Sequence, residues 1–127
     1  MSVATRTVTT VTRRYSFEAA HYLPFVPDGH KCKRMHGHNY EIEVTVSGVV
    51  GSDGFIIDFW DLDKLVDPLV ALVDHRALND IQGLSNPTAE LIAAWFLNRL
   101  QSDYRDFNIT KVRCFETKNC WADATLI

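Results

Sequence analysis

The chain has 127 residues, 46% of them apolar, which suits one ordinary domain with its own core, so we expect a single domain spanning residues 1–127. Thirteen basic and sixteen acidic residues give a net charge of -3, which provides no overall positive field for nucleic acid. No apolar run approaches the roughly 20 residues needed to cross a bilayer, and the start lacks the apolar segment of a signal peptide. We therefore expect a soluble cytoplasmic protein that binds neither nucleic acid nor membrane.

The cysteines form an odd and sparse set, namely Cys32, Cys114 and Cys120. Such a set in a chain of this length fits reduced thiols better than a disulfide framework. At least one thiol is then free for chemistry. Free cysteines are usually buried and inert, which is our interpretation of Cys114 and, with less support, of Cys120.

The first predicted element is a long strand over residues 5–20, in which Phe17 and Ala19 alternate with polar residues. A shift in apolar parity between Val8 and Val11 indicates a bulge or a loose start. A second strand over residues 39–48 alternates more cleanly and is predicted to be half-buried and antiparallel. Its inward residues are Tyr40, Ile42, Val44 and Val46.

Residues 51–54 are typical of a turn, and residues 55–59 are predicted to form a short strand that leads into a helix. That helix contains Pro68, which should kink or locally break it. Its apolar stripe, at helical spacing, consists of Leu62, Leu65, Val66, Leu69, Leu72 and Val73.

The second helix is predicted to be capped by Ser85 or Asn86, with Pro87 in its first turn. Its buried side is predicted to contain Leu91, Ile92, Trp95 and Phe96. Residues 109–127 return to strand character around a turn in "ETKN". The order β-β-α-α-β-β predicts an α+β fold, an antiparallel sheet with both helices on one face.

Three histidines are expected to meet at the ends of the first two strands. His36 and His38 share the parity of Tyr40, and His21 continues the parity of Phe17. If the strands pair antiparallel, the three imidazoles converge at the edge of the apolar face, which is costly unless something binds their nitrogens. Zinc suits three such nitrogens and keeps a fourth position open for water or substrate.

Cys32 lies close to this cluster and has two possible roles. It could complete a closed structural metal site, or it could stand beside the metal as a thiolate base or nucleophile. The residues around it are basic and could lower its pKa or bind phosphate, although a solvated basic loop is equally consistent with them. They are His30, Lys31, Lys33 and Arg34.

Two further features are chemically suggestive. Asp74 and His75 follow the first helix, and such a pair can relay a proton or tune a thiol, or simply end a helix. Glu116 shares the parity of Cys114, so its carboxylate points to a buried side and needs a partner there. That partner is either a ligand with a fork of donors or an internal Arg or Lys.

With these residues assembled, the sequence resembles the family of 6-pyruvoyl-tetrahydropterin synthases and 6-carboxy-tetrahydropterin synthases. The resemblance rests on motifs that follow one another in the family's order and cover nearly the whole chain. They are "FEAAH" (17–21), "CKRMHGHNY" (32–40), "IIDF" (56–59), "DHRALND" (74–80), "NPTAE" (86–90) and "ET" (116–117).

The resemblance implies a tunnelling fold (T-fold), in which sheets join edge to edge into a trimeric barrel and two trimers stack into a homohexamer. It implies that Zn²⁺ is bound by His21, His36 and His38. It implies that the catalytic residues are Cys32, Asp74 and His75, the last two from a neighbouring subunit. The implied substrate-binding residues are Glu116, which grips the amino and N–H edge of a pterin, and Thr88 and Glu90 nearby.

Two activities of that family act on 7,8-dihydroneopterin triphosphate. One yields 6-carboxy-5,6,7,8-tetrahydropterin with loss of acetaldehyde and triphosphate, a step toward queuosine, and the other eliminates triphosphate to give a pyruvoyl product. The three-residue gap between Cys32 and His36 resembles the carboxy branch, which we therefore expect. The alternatives are the pyruvoyl activity, a zinc-binding and pterin-binding module without catalysis, and a zinc hydrolase of another substrate.

Overall fold

The computed structural model describes residues 7–103 and 108–127. The strands are β1 (Thr9–His21), β2 (His36–Gly48), β3 (Arg76–Ala77), β4 (Ile109–Thr117) and β5 (Cys120–Thr125), and the helices are α1 (Phe59–Val73) and α2 (Ala89–Asp103). One sheet has the order β3-β1-β2-β4-β5. The predicted α+β class is confirmed, with one addition, because β3 pairs in parallel with Ala19 and Ala20 of β1.

The pairing of β1 with β2 fixes the relative positions of the three histidines at the site. It is antiparallel and uninterrupted from Thr9 opposite Gly48 to His21 opposite His36. The predicted bulge in the first strand is therefore wrong for the described residues, and pairing begins only after Val8. The predicted start at residue 5 lies outside the described residues. The register shifts of the sheet lie elsewhere, between Thr45 and Val46 where β2 meets β4 and between Phe115 and Thr117 where β4 meets β5.

The predicted strand over residues 55–59 is not formed. The Gly51 N–H bonds to the Phe55 carbonyl and closes a turn, and Asp58 then caps α1 by accepting a hydrogen bond from the Trp60 N–H at 2.9 Å. An N-cap satisfies a helical N–H that has no partner within the helix. The apolar run therefore folds as a turn and a helix start, although Ile57 is still buried.

Helix α1 runs continuously through Pro68, so the predicted break is wrong. Pro68 is exposed, so the carbonyl that loses its N–H partner faces water rather than the core. The buried stripe matches the prediction except at Leu72, which is 48% exposed.

Helix α2 begins later than predicted. Thr88, not Ser85 or Asn86, is its cap, because the Thr88 hydroxyl accepts the Leu91 N–H at 3.1 Å. Pro87 therefore precedes the helix. Leu91 is 47% exposed rather than buried, whereas the other predicted residues, Ile92, Trp95 and Phe96, are buried.

The core lies between the helices and the inward face of β1, β2 and β4. Phe17, Tyr40 and Ile42 are buried there with the apolar sides of both helices. Full burial of each such side chain contributes about 1.5–3 kcal/mol relative to exposure. The same inward face carries His21 and His38 at its end. No helix in the described ranges is long and apolar enough to span a bilayer.

Candidate metal centre and pterin pocket

The three predicted histidines meet at the end of the β1–β2 pair. His21 lies opposite His36 in the register, and His38 lies opposite Ala19, two residues earlier in β1. The ring centroids are 4.5 Å apart for His21 and His36 and 5.0 Å apart for His36 and His38. One nitrogen of each ring lies within 4.8 Å of those of the others, so the cluster can hold a metal ion.

Backbone carbonyls orient two of these rings. The Nδ1 atom of His21 lies 2.8 Å from the Pro87 carbonyl, and Nδ1 of His36 lies 2.7 Å from the Arg34 carbonyl. A carbonyl only accepts, so Nδ1 carries the proton in both rings and Nε2 keeps a free lone pair. Histidine ligands of metals are typically held in this way.

The other ring nitrogens of the clustered histidines are suited to bind a cation. Burial lowers the pKa of His21 and of His38, and the nearby His36 lowers both further, while Glu116 acts in the opposite direction. Neutral imidazoles are the form that binds metal. The Nε2 atoms of His21 and His38 are buried and have no hydrogen-bond partner among the described residues. Three imidazoles, two of them with buried and unpartnered nitrogens, fit zinc.

A pocket of about 410 Å³ opens beside the cluster. It is lined by Lys31, Cys32, His36, His38, Glu116 and Thr117. Cys32 is half-buried in a 3₁₀ turn (Lys31–Lys33) that follows β1. The Leu23 N–H donates to the Cys32 carbonyl at 2.8 Å and fastens this turn to the end of β1.

The basic residues around Cys32 separate into different roles. His30 caps the turn, because its Nδ1 accepts the Cys32 N–H at 3.0 Å, and it lies outside the histidine cluster. Lys33 pairs with Asp28. Lys31 lines the pocket.

Glu116 faces into this pocket. Its carboxylate lies 3.6 Å from Nε2 of His38. In the ranges 7–103 and 108–127, no Arg or Lys lies within ion-pair distance of it, so the internal cation considered as its partner is not found there. A half-buried carboxylate with so few partners is available to a ligand that carries N–H donors.

Asp74 and His75 lie elsewhere on the chain. The Asp74 carboxylate accepts the Glu18 N–H and the Nδ1–H of His75, each at 3.0 Å, and these bonds lower its pKa. Both residues bond to the backbone of Glu18 on the β3 side of β1, so the pair lies at that edge of the sheet, where the exposed His75 has a φ of 57°. A single chain does not bring this pair into the pocket of Cys32.

The other predicted contacts lie at the start of α2. Thr88 caps the helix, and Glu90 is exposed in its first turn. Burial, with smaller effects of Glu116 and Glu90, raises the pKa of Cys114 to about 12.

The contacts made by the Pro87 and Arg34 carbonyls were not predicted from the sequence, because they are backbone groups that do not depend on residue type. Tyr40 was predicted only as a core residue. The signal for Tyr40 was present, because it follows His38 by two residues and so shares its face.

Known proteins match this chain along most of its length. Residues 10–126 match the sequence model of the family described as 6-pyruvoyl tetrahydropterin synthase. The 6-carboxy-5,6,7,8-tetrahydropterin synthase of Synechocystis sp. is 43% identical over 97 residues, covering 72% of this chain and 74% of that protein. The dihydroneopterin monophosphate aldolase of Pyrococcus furiosus is 39% identical over 90 residues, covering 71% and 73%.

Comparison of the fold with a solved structure points to the same family. The structure of Caenorhabditis elegans 6-pyruvoyl tetrahydropterin synthase superposes with a TM-score of 0.86 at 28% identity, covering 95% of this chain and 97% of that one. Sequence and architecture thus agree from β1 through β5. On these grounds the chain belongs to the 6-pyruvoyl tetrahydropterin synthase family.

Proposed function

We propose that the chain is a zinc-dependent 6-carboxy-5,6,7,8-tetrahydropterin synthase. This lyase would convert 7,8-dihydroneopterin triphosphate and water to 6-carboxy-tetrahydropterin, acetaldehyde and triphosphate, for queuosine or related deazapurines. The observation that carries the proposal is one pocket that joins Cys32 and Glu116 to the histidine cluster. The relative from Synechocystis sp. supports the carboxy product.

His21, His36 and His38 would hold the zinc ion. When bound, zinc supplies Lewis acidity that lowers the pKa of a substrate hydroxyl. The chain's own part is to keep the imidazoles neutral by burial and to aim two of them through the carbonyls of Pro87 and Arg34. These features match a catalytic zinc site, which has three protein ligands and one open position.

Glu116 would bind the pterin ring. A carboxylate accepts two parallel N–H bonds, and a pterin offers an amino group and a ring N–H at the spacing that a carboxylate fork accepts. Thr88 and Glu90 would border the same end of the pocket, which agrees with the effect of both Glu90 and Glu116 on Cys114. Lys31 is the best-placed cation for the substrate's phosphates, since it lines the pocket while Lys33 is paired with Asp28.

Cys32 would move the proton on the side-chain carbon next to the activated hydroxyl. A group in this role must reach the reacting carbon, and Cys32 lines the same pocket as His36 and His38. Asp74 and His75 would set the protonation state of the thiol of a neighbouring subunit. The exposed His75 and the half-buried Asp74 lie at the β3 edge of the sheet, a position compatible with service to another chain.

The sheet leaves edges through which such an assembly would form. Among the described residues, β5 pairs only with β4, and β1 pairs with β3 only at Ala19 and Ala20. Unpaired strand edges readily accept another strand. We propose that edge pairing closes a trimeric barrel and that two barrels stack into a homohexamer.

Identification of the product tests the proposed activity. Zinc-loaded protein is incubated with dihydroneopterin triphosphate and, separately, with the monophosphate, and the products are identified by mass with trapping of acetaldehyde. We expect 6-carboxy-tetrahydropterin, acetaldehyde and triphosphate from the triphosphate. Turnover of the monophosphate alone would contradict the proposed substrate.

A second candidate is the 6-pyruvoyl activity, which the likeness to the Caenorhabditis elegans synthase favours. The same incubation separates the two, because a pyruvoyl-tetrahydropterin retains its side-chain carbons and releases no acetaldehyde. That product would overturn the carboxy assignment while leaving the metal and pterin sites in place.

Replacement of the pocket thiol separates an enzyme from a non-catalytic binding module. We expect Cys32→Ala to keep zinc content and pterin fluorescence quenching while product formation falls by about 100-fold or more. Cys120→Ala is the matched control, since Cys120 is exposed and does not line the pocket. Unchanged turnover in Cys32→Ala would remove the thiol from the mechanism.

A further inference from the structure

Three buried side-chain atoms in the described part of the chain have no hydrogen-bond partner, and all three lie in one cluster. They are Nε2 of His21, Nε2 of His38 and the hydroxyl of Tyr40. Buried polar atoms are nearly always paired, so each of these requires an explanation. A metal ion accounts for the two nitrogens, but it leaves the hydroxyl unexplained.

Tyr40 stands directly against the two rings. Its ring centroid lies 5.7 Å from that of His21 and 5.4 Å from that of His38, nearly perpendicular to both. Phe17 stacks on the other side at 5.2 Å and holds the ring in place. Tyr40 is 0% exposed, so bulk water does not satisfy its hydroxyl.

The strand register sets what lies next to this hydroxyl. Glu41 of β2 lies opposite Phe115 of β4, so Tyr40 and Glu116, each the neighbour of one member of this pair, lie at the same end of the strand pair. Glu116 in turn lies 3.6 Å from Nε2 of His38. The hydroxyl therefore belongs to the corner shared by the histidine cluster and the pocket.

We infer that Tyr40 is an additional positioning residue of this site, whose hydroxyl donates a hydrogen bond to an oxygen of whatever occupies the space among the imidazoles. In the resting protein that oxygen is water, and during turnover it is a side-chain hydroxyl of the pterin, which rests on the proposed function. Hydrogen bonds to the groups around a metal tune both affinity and reactivity. The unpaired hydroxyl is then a prepared donor rather than a packing defect.

A second tyrosine shows how this fold treats a purely structural hydroxyl. Tyr15 donates to the Asp63 carboxylate at 2.7 Å and ties β1 to α1. Arg13 joins the same carboxylate at 2.7 Å. Tyr15 thus has its partners within the chain, whereas Tyr40 has none among the described residues.

The test compares Tyr40→Phe with Tyr15→Phe. Thermal unfolding of metal-free protein and titration with zinc alone are measured for both variants and the parent. We expect Tyr40→Phe to unfold at the same temperature as the parent or higher, because an unpaired hydroxyl is removed, and to bind zinc about tenfold more weakly or worse. We expect Tyr15→Phe to unfold earlier and to bind zinc as the parent does.

Two results would overturn the inference. One is a Tyr40→Phe protein with the zinc affinity of the parent. The other is a metal-free Tyr40→Phe protein destabilised as much as Tyr15→Phe, which would mean that the hydroxyl serves the fold. Because neither readout uses a pterin, both stand whichever product the enzyme makes.

Discussion

Burial acts in opposite directions on the basic and acidic side chains around the pocket. It lowers the pKa of His21 and His38 and raises that of Cys114, in each case favouring the neutral form. The imidazoles are thereby prepared to bind a cation, and one thiol is kept protonated. Cys32 is half-buried at the pocket wall, so it is the thiol that a molecule in the pocket can reach.

The three thiols should therefore differ in reactivity. At pH 8 we expect iodoacetamide to label Cys32 and Cys120 in the native protein and to spare Cys114, which is fully buried with a pKa of about 12. Mass spectrometry of digests gives the extent at each position, and labelling in urea, where all three should react, is the control. Rapid native labelling of Cys114 would contradict its burial.

The buried histidines should make the metal-free protein sensitive to mild acid. An unfolded histidine has a pKa of about 6.5, and the folded values of His21 and His38 are lower, so the unfolded chain binds more protons as pH falls. The stability from the neutral rings is complete above about pH 6.5 and is lost as pH falls through the folded values. We expect a lower urea midpoint at pH 5.5 than at pH 7.5.

One variant locates the source of that change. His38→Gln should reduce the difference between the two midpoints, because it removes one of the two histidines whose pKa burial lowers. Equal midpoints for the parent at both pH values would refute the assignment.

Strand alternation located the three histidines from sequence because parity is a local property. Two residues apart on one strand means the same face, whatever the rest of the chain does. The carbonyl of Pro87 was not predictable in the same way. Its contact with His21 requires the start of α2 to dock against the end of β1, 66 positions earlier.

At the scale of elements, apolar periodicity predicted both helices and four of the five strands. It failed at the helix starts, whose positions are determined by the capping residues. Residues 55–59 have strand composition, yet the cap at Asp58 starts a helix there. The cap of helix α2 is Thr88, three residues beyond Ser85, so the helix starts at Ala89. Strand β3 is two residues long and carries no periodic signal.

The cap at Thr88 should contribute measurably to stability. We expect Thr88→Ala to lower the free energy of unfolding by about 1 kcal/mol, since it leaves the Leu91 N–H without its partner. Urea unfolding monitored by tryptophan fluorescence measures the change. Thr88→Ser retains a hydroxyl and should stay near the parent, and equal losses in both variants would argue that the methyl group matters instead.

At the scale of the whole molecule, two sets of groups that the proposed chemistry needs together lie apart in one chain. Cys32 lines the pocket beside the histidine cluster, while Asp74 and His75 lie beside Glu18 at the β3 edge of the sheet. If one chain serves another, each site is built from two subunits.

Complementation between inactive variants tests this arrangement. Cys32→Ala and His75→Ala proteins, each of low activity alone, are mixed, dissociated and reassembled. In an equal mixture about a quarter of the sites should contain an intact Cys32 and an intact His75, so activity should return to about a quarter of the parent level. Subunit exchange is verified by native mass spectrometry, and a mixture that exchanges but stays inactive would place both groups in the same chain.

The short strand β3 has a consequence for any chain that approaches the sheet. It occupies the edge of β1 at Ala19 and Ala20, and Asp74 and His75 bond to the backbone of Glu18, so among residues 7–103 and 108–127 no strand pairs with the free edge from Thr9 to Phe17. A strand of another chain can pair along that free stretch only as far as β3. The two residues of β3 therefore limit the registers in which such a strand can pair. Strand pairing is otherwise prone to slippage, and one residue of slip reverses every side chain. The shortest strand of the fold would thus help to set the register of any strand that pairs with β1 during assembly.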